Sequence, residues 1–232
     1  MKQSILALTV AAALFSACSD DDEIVEVKDY GLKTFEADLK YTSIPDPNGG
    51  RPTTTYAQQT YFAFGKEEAI AVGEIGTESW TEFNVFSKDS ADYNISSDIE
   101  GWHLIFTNYT GNGANPGDDP VEYSLTGILH NAETDIKVAE MEYTESTEAN
   151  DVSQAFAALS LTDVASLSYS TEPETIGRDW KKLNSTFQYD VLSNKFYFVK
   201  LSNKDIYKLR VISFYGETTS NRIIKIEYQL MQ

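Results

Sequence analysis

The segment that most constrains the fold lies near the end of the chain. Ile224, Ile226, Tyr228 and Leu230 alternate there with Lys225, Glu227 and Gln229. A period of two puts the apolar set on one side of an extended strand, against a core, and the polar set toward water. Just upstream, Lys195–Leu201 and Ile206–Tyr215 are two β-prone runs joined by Ser202-Asn203-Lys204-Asp205, which predicts a hairpin. The same alternation recurs where Phe35, Ala37, Leu39 and Tyr41 interleave with Glu36, Asp38 and Lys40. Further strand-like runs occupy Thr60–Phe64, Ala69–Val72, Trp80–Phe86, Trp102–Phe106, Tyr123–Leu129 and Ile136–Tyr143. Trp102, Leu104 and Phe106 are expected on one face. The expected fold is therefore all-β, an antiparallel sandwich-like domain with at most one short helix. That helix falls within Asp151–Leu167, where Val152, Phe156 and Leu159 have helical spacing and Asp151 could cap.

Two segments read as loops. Ile44–Thr55 carries Pro45, Pro47, Asn48, Gly49, Gly50 and Pro52, and a second loop runs from Asn112 to Pro120. Asp118 and Asp119 in the second loop could ligate calcium or simply form a solvated acidic turn. Aromatic residues make up 12% of the chain, with 14 Tyr and 12 Phe, a bias that favours strands over helices. The formal net charge of −18 argues against nucleic acid as a partner, since a polyanion needs clustered Lys and Arg. It also argues against adhesion of the domain itself to anionic lipid.

The N-terminus reads differently. Lys2 precedes an apolar run from Ile5 to Phe15, and Ser16 and Ala17 are small. This is the layout of a secretory signal, too short to span a bilayer as a mature helix. Phe15-Ser16-Ala17-Cys18 resembles a bacterial lipobox, which makes Cys18 the lipidation site and residues 1–17 the signal. The alternative is an ordinary signal followed by a free cysteine. Cys18 is the only cysteine, so no disulfide can form within one molecule. Ser19-Asp20-Asp21-Asp22-Glu23 has too little apolar content to order itself, so residues 18–30 are expected to be a solvated tether. The acidic run also resembles the export signal that places Bacteroidota lipoproteins on the outer face of the outer membrane; a plain spacer is the alternative. Residues 31–232 are then expected to form a single domain, held to the membrane through the lipid alone.

Catalytic signatures are missing. The sequence has two histidines, His103 and His130, no Gly-x-Ser-x-Gly elbow, no His-x-x-x-His, no cysteine pair and no phosphate-binding glycine loop. No catalytic residue is assigned, and a binding protein is the expected class.

Gly101-Trp102-His103-Leu104-Ile105-Phe106-Thr107-Asn108-Tyr109 resembles the Trp-Asp-hydrophobic strand of the HmuY family. Asp98-Ile99-Glu100 precedes it, and Thr110-Gly111-Asn112-Gly113 follows at the place of a small glycine-rich turn. Phe196-Tyr197-Phe198-Val199, a turn, Tyr207-Lys208-Leu209-Arg210-Val211 and then Ile224–Tyr228 are similar to that family's closing hairpin and final strand. The resemblance implies an all-β surface lipoprotein that captures haem or a related porphyrin and passes it to an outer-membrane TonB-dependent receptor. It implies ligands in two stretches, here Met141–Val152 and Trp180–Phe187, and neither contains histidine. His103 stands where the family has Asp and inherits no ligand role.

Met141 and His130 are the axial candidates, because a thioether or an imidazole can ligate haem iron. The alternatives are a core-filling methionine and an exposed histidine of no function. Trp180, Phe187 and Tyr189 offer aromatic faces for a haem plane. Arg178, Lys181 and Lys182 form a basic group that could pair with propionates or could simply aid solubility. A structural or adhesive lipoprotein that kept the fold without binding haem is the competing expectation.

Overall fold

A computed structural model describes residues 28–45, 47–49, 53–56, 58–66, 69, 71–74, 99–112, 122–186, 188–218 and 221–232. Cys18, the run Trp80–Phe86, Asp118, Asp119 and Phe187 lie outside the described residues.

The main body is an antiparallel sandwich. One sheet has five strands in the order β1 (Lys33–Asp38), β13 (Arg222–Leu230), β12 (Ile206–Tyr215), β11 (Lys195–Lys200) and β8 (Lys137–Glu142). The other has β5 (Ala71–Glu74), β4 (Gln58–Phe62), β6 (Leu104–Asn112) and β7 (Glu122–His130), in that order. Two small hairpins, β2 (Tyr41–Ile44) with β3 (Thr53–Tyr56) and β9 (Lys181–Leu183) with β10 (Tyr189–Val191), complete the sheet content. At the ends of the stretch expected to be a loop, Ile44 and Thr53 through Thr55 are strand residues of the first hairpin.

The alternation seen in the sequence builds the space between the sheets. Phe35, Ala37, Val138, Tyr197, Val199, Leu209, Val211, Ile224, Ile226 and Tyr228 face Phe62, Leu104, Phe106 and Ile128 in one buried cluster. Phe35 locks the two layers together, its ring centroid 4.6 Å from Phe62 and 5.4 Å from Phe106. Tilted and edge-on aromatic pairs at such distances contribute beyond their buried area. β6 begins only at Leu104, after Gly101 takes a φ of 74°. That break takes Trp102 off the face of Leu104 and Phe106, and it packs edge-on against Tyr61 at 5.7 Å instead.

The second face of the five-stranded sheet is covered as well. Helix α1 (Ala149–Ala158) and the single turn α2 (Leu161–Val164) press Val152, Phe156 and Val164 onto Ala139, Phe196, Phe198 and Met231. Glu148 occupies the N-cap position of α1, and Asp151 sits in its first turn. The cover explains two buried cations on a face that alternation assigns to water. Lys208 Nζ donates to the carbonyl oxygens of Phe156 (2.8 Å), Ala157 (2.9 Å) and Leu159 (3.1 Å), the unpaired acceptors at the end of α1. Arg210 donates twice to Glu227, at 2.9 and 2.7 Å, and once to Ser153 on the helix at 2.8 Å. The polar side of β12 and β13 is therefore an anchor for α1, and Lys225, Glu227 and Gln229 are half-buried. Among the described residues no helix is long and apolar enough to cross a membrane.

Candidate functional site

The axial candidates sit in different layers. Met141, on β8, packs half-buried in the cluster between the five-stranded sheet and α1. His130 ends β7 opposite Leu104 of β6, a residue that faces the space between the sheets. A single iron cannot be shared by side chains separated by a whole sheet, so the two do not form one ligand pair.

His130 is buried, with 1% of its surface exposed, and this corrects the expectation of an exposed strand-end histidine. Among the described residues neither ring nitrogen has a hydrogen-bond partner. A 3-10 turn at Pro173–Thr175 packs over β7, held by the Ile128–Gly177 bridge, whose Ile128 N–H donates to Gly177 O at 2.9 Å. Burial lowers the His130 pKa to about 4; the nearby backbone of Thr171 and Pro173 opposes this weakly without completing a hydrogen bond. The ring is neutral at pH 7. A neutral imidazole has one donor and one acceptor, and each left unpaired in a dry interior costs about 1–3 kcal/mol.

His103 reaches a similar pKa, about 4, again through burial. Its Nδ1 accepts the Phe64 N–H at 2.9 Å, and its ring stacks on Phe64 at 5.7 Å. With Nδ1 accepting and the ring neutral, the remaining proton sits on Nε2. Nε2 has no protein partner among the described residues. His103 belongs to the wall of a cavity of about 290 Å³, shared with Phe64, Tyr207, Tyr228, Lys28 and Lys33.

Some of the predicted aromatic and basic residues do come together. Lys181 Nζ lies 4.0 Å from the centroid of the Trp180 ring, 5.2 Å from Phe214 and 5.4 Å from Tyr189, and it donates to the Thr126 carbonyl on β7. Burial, followed by the charge of Arg178, draws its pKa down to about 7, with Asp179 opposing and Arg222 reinforcing. The aromatic faces and the Thr126 carbonyl favour the ammonium. Trp180 is fully buried, its Nε1–H donating to Gly177 O at 2.9 Å, so its ring belongs to the core. Tyr189 is partly exposed and is positioned by a 2.7 Å bond from its N–H to the Tyr215 hydroxyl. Arg178 and Lys182 are exposed.

The cluster also holds residues that the sequence reading did not single out. The Arg222 guanidinium lies 4.5 Å from Tyr215, 4.6 Å from Tyr41 and 5.3 Å from Phe214. A hint of this was present in the Phe-Tyr pair that closes the Ile206–Tyr215 run, but only the fold brings Arg222 to it.

Among the described residues neither histidine is hydrogen-bonded to a serine or a carboxylate, and no group of His, Cys, Asp and Glu has the makings of a metal site. No family model matches the chain, and no curated protein sequence matches it. Solved structures are similar to it at low identity. A candidate lipoprotein of Bacteroides fragilis NCTC 9343 is 13% identical with a TM-score of 0.44, covering 86% of this chain and 89% of that one. The apo HmuY analogue of Tannerella forsythia is 11% identical with a TM-score of 0.36, covering 89% and 99%. A candidate HmuY-like haem-binding protein of Bacteroides vulgatus ATCC 8482 is 13% identical with a TM-score of 0.34, covering 86% and 92%. The structural neighbours of this all-β chain are thus HmuY-like proteins and a candidate lipoprotein.

Proposed function

We propose that this chain is a non-enzymatic lipoprotein, tethered through Cys18 to the outer membrane and facing the exterior, that binds haem or a related porphyrin. It would pass the ligand to a TonB-dependent receptor. The observation that carries this reading is the orphaned imidazole of His130: a neutral, buried ring with both nitrogens unpaired is a ligand without a metal. The segment 171–175, whose backbone lies beside the ring, is exposed or half-buried, and iron would enter where it lifts. Haem iron would gain an axial nitrogen there. Arg178 and Lys182 are exposed cations suited to carboxylates, whereas Lys181 is already engaged with Thr126.

The test is a haem titration of the chain from residue 24, which retains every described residue, under oxidising and reducing conditions. A Soret shift that disappears in His130→Leu is expected. No Soret shift in either state overturns the haem reading. If the shift survives His130→Leu but is lost in Met141→Ala, ligation passes to the methionine.

A second reading, a structural or adhesive surface lipoprotein of the same fold, draws on different observations. Met141 is packed beneath α1, and the Trp180 face is consumed by the core. That reading expects no Soret response and unchanged thermal stability with haem present.

A further inference from the structure

The cavity beside His103 is separate from the region around His130 and the β9–β10 hairpin, and its lining has a chemistry of its own. One wall is a column of rings: His103 on Phe64 at 5.7 Å, and Phe64 on Tyr207 at 4.3 Å with planes only 17° apart. Tyr228 closes the column edge-on, 5.6 Å from Phe64. At the rim, Lys33 pairs with Asp29 at 2.9 Å and Lys28 pairs with Asp205. Both aspartates are tied into their own loops as well, Asp29 by the Gly31 N–H at 2.8 Å and Asp205 by the Asn203 amide at 3.0 Å.

His103 differs from its surroundings in presenting a hydrogen that no atom of the described residues takes. Because Nδ1 is occupied by the Phe64 N–H, Nε2 offers a proton and not a lone pair. A metal ion would have to displace either that proton or the Phe64 bond, so the site is not a metal site. At about 290 Å³ the cavity is at the small end of ligand pockets, too small for a tetrapyrrole and large enough for one or two fused rings.

We infer that this cavity is a second ligand site, taking a small planar aromatic molecule that carries a hydrogen-bond acceptor, with its ring along the His103–Phe64–Tyr207 column and its acceptor on His103 Nε2–H. An anionic acceptor fits best. In the Lys33–Asp29 pair at the rim the carboxylate is exposed and the ammonium half-buried, and solvent screening of Asp29 lets the ammonium turn to a ligand carboxylate.

The probe is indole-3-carboxylate, followed by chemical-shift changes in the chain from residue 24. Cyclohexanecarboxylate supplies the acceptor without the planar ring, and tryptamine supplies the ring with an ammonium in place of the acceptor. Indole-3-carboxylate should bind about tenfold or more tightly than either. His103→Asn is the decisive variant, because an amide oxygen can still accept the Phe64 N–H while the Nε2 donor is gone. It should keep the melting temperature and weaken binding about five- to tenfold. Three results overturn the proposal: no binding of indole-3-carboxylate at millimolar concentration, equal binding of tryptamine, or affinity unchanged in a folded His103→Asn. The probe comparison on the unsubstituted chain stands even if that variant fails to fold. None of these outcomes depends on haem, so this site and the His130 reading can fail separately.

Discussion

His103 and His130 are neighbours across the β6–β7 ladder, one just ahead of Leu104 and the other directly opposite it. Burial lowers both pKa values to about 4. Their hydrogen bonding is nevertheless opposite. His103 has its acceptor filled and lines a cavity, whereas among the described residues His130 has neither group filled. A depressed pKa therefore says only that water is excluded; which nitrogen has a partner decides what the ring can do. Among the described residues one ring keeps only its donor unfilled, and the other keeps both groups unfilled.

Acid should give the largest effect. A ring that titrates near 4 when folded and near 6.5 when unfolded costs nothing above pH 6.5, since both states are then neutral. Below that the unfolded chain takes the proton first, so stability falls as the pH drops toward 4 and levels off beneath it. For His130, 1% exposed, the loss amounts to about 3 kcal/mol. Urea unfolding of the parent and His130→Leu at pH 7 and pH 4.5 should show a shallower pH dependence in the variant. Equal slopes would mean that the ring is protonated when folded.

A smaller effect separates the two rings at pH 7. His103→Phe strips the buried Phe64 N–H of its acceptor and should cost about 1–3 kcal/mol. His103→Asn should restore most of that. A His103→Phe chain as stable as the parent would mean the Phe64 bond contributes nothing.

The smallest effect has the opposite sign. His130→Leu replaces two unpaired polar atoms by an apolar side chain of similar size and should be neutral or stabilising by about 1 kcal/mol at pH 7. A clear loss of stability at that pH would reveal a partner for the ring, such as a bound water.

The sequence shows the architecture better than it shows the site, for a physical reason. β11 and β12 are β-prone runs of six and ten residues and β13 alternates over nine, and such long signals survive whatever packs against them. β9 and β10 are three residues each, too short to display a period. Lys225, Glu227 and Gln229 read as solvent-facing because nothing local shows that α1 packs on their side of the sheet, where Lys208 and Arg210 bond it. His130 read as exposed for the same reason: its cover comes from residues 171–175, about forty positions downstream. The Trp180–Lys181–Tyr189 grouping was legible because those residues are close in sequence, while Phe214 and Arg222 join them only through the fold.

β1 pairs along its whole length with β13, from Lys33 opposite Tyr228 to Asp38 opposite Ile223. Among the described residues β13 is the sole strand that pairs with β1, so Lys33 waits for Tyr228, 195 positions downstream. Contacts of such sequence separation form late, because the intervening chain must be closed before they reward it. A nascent chain lacking β13 leaves the edge of β12 open and Phe35 without its sandwich. The topology thus holds this edge of the large sheet open until β13 has been made.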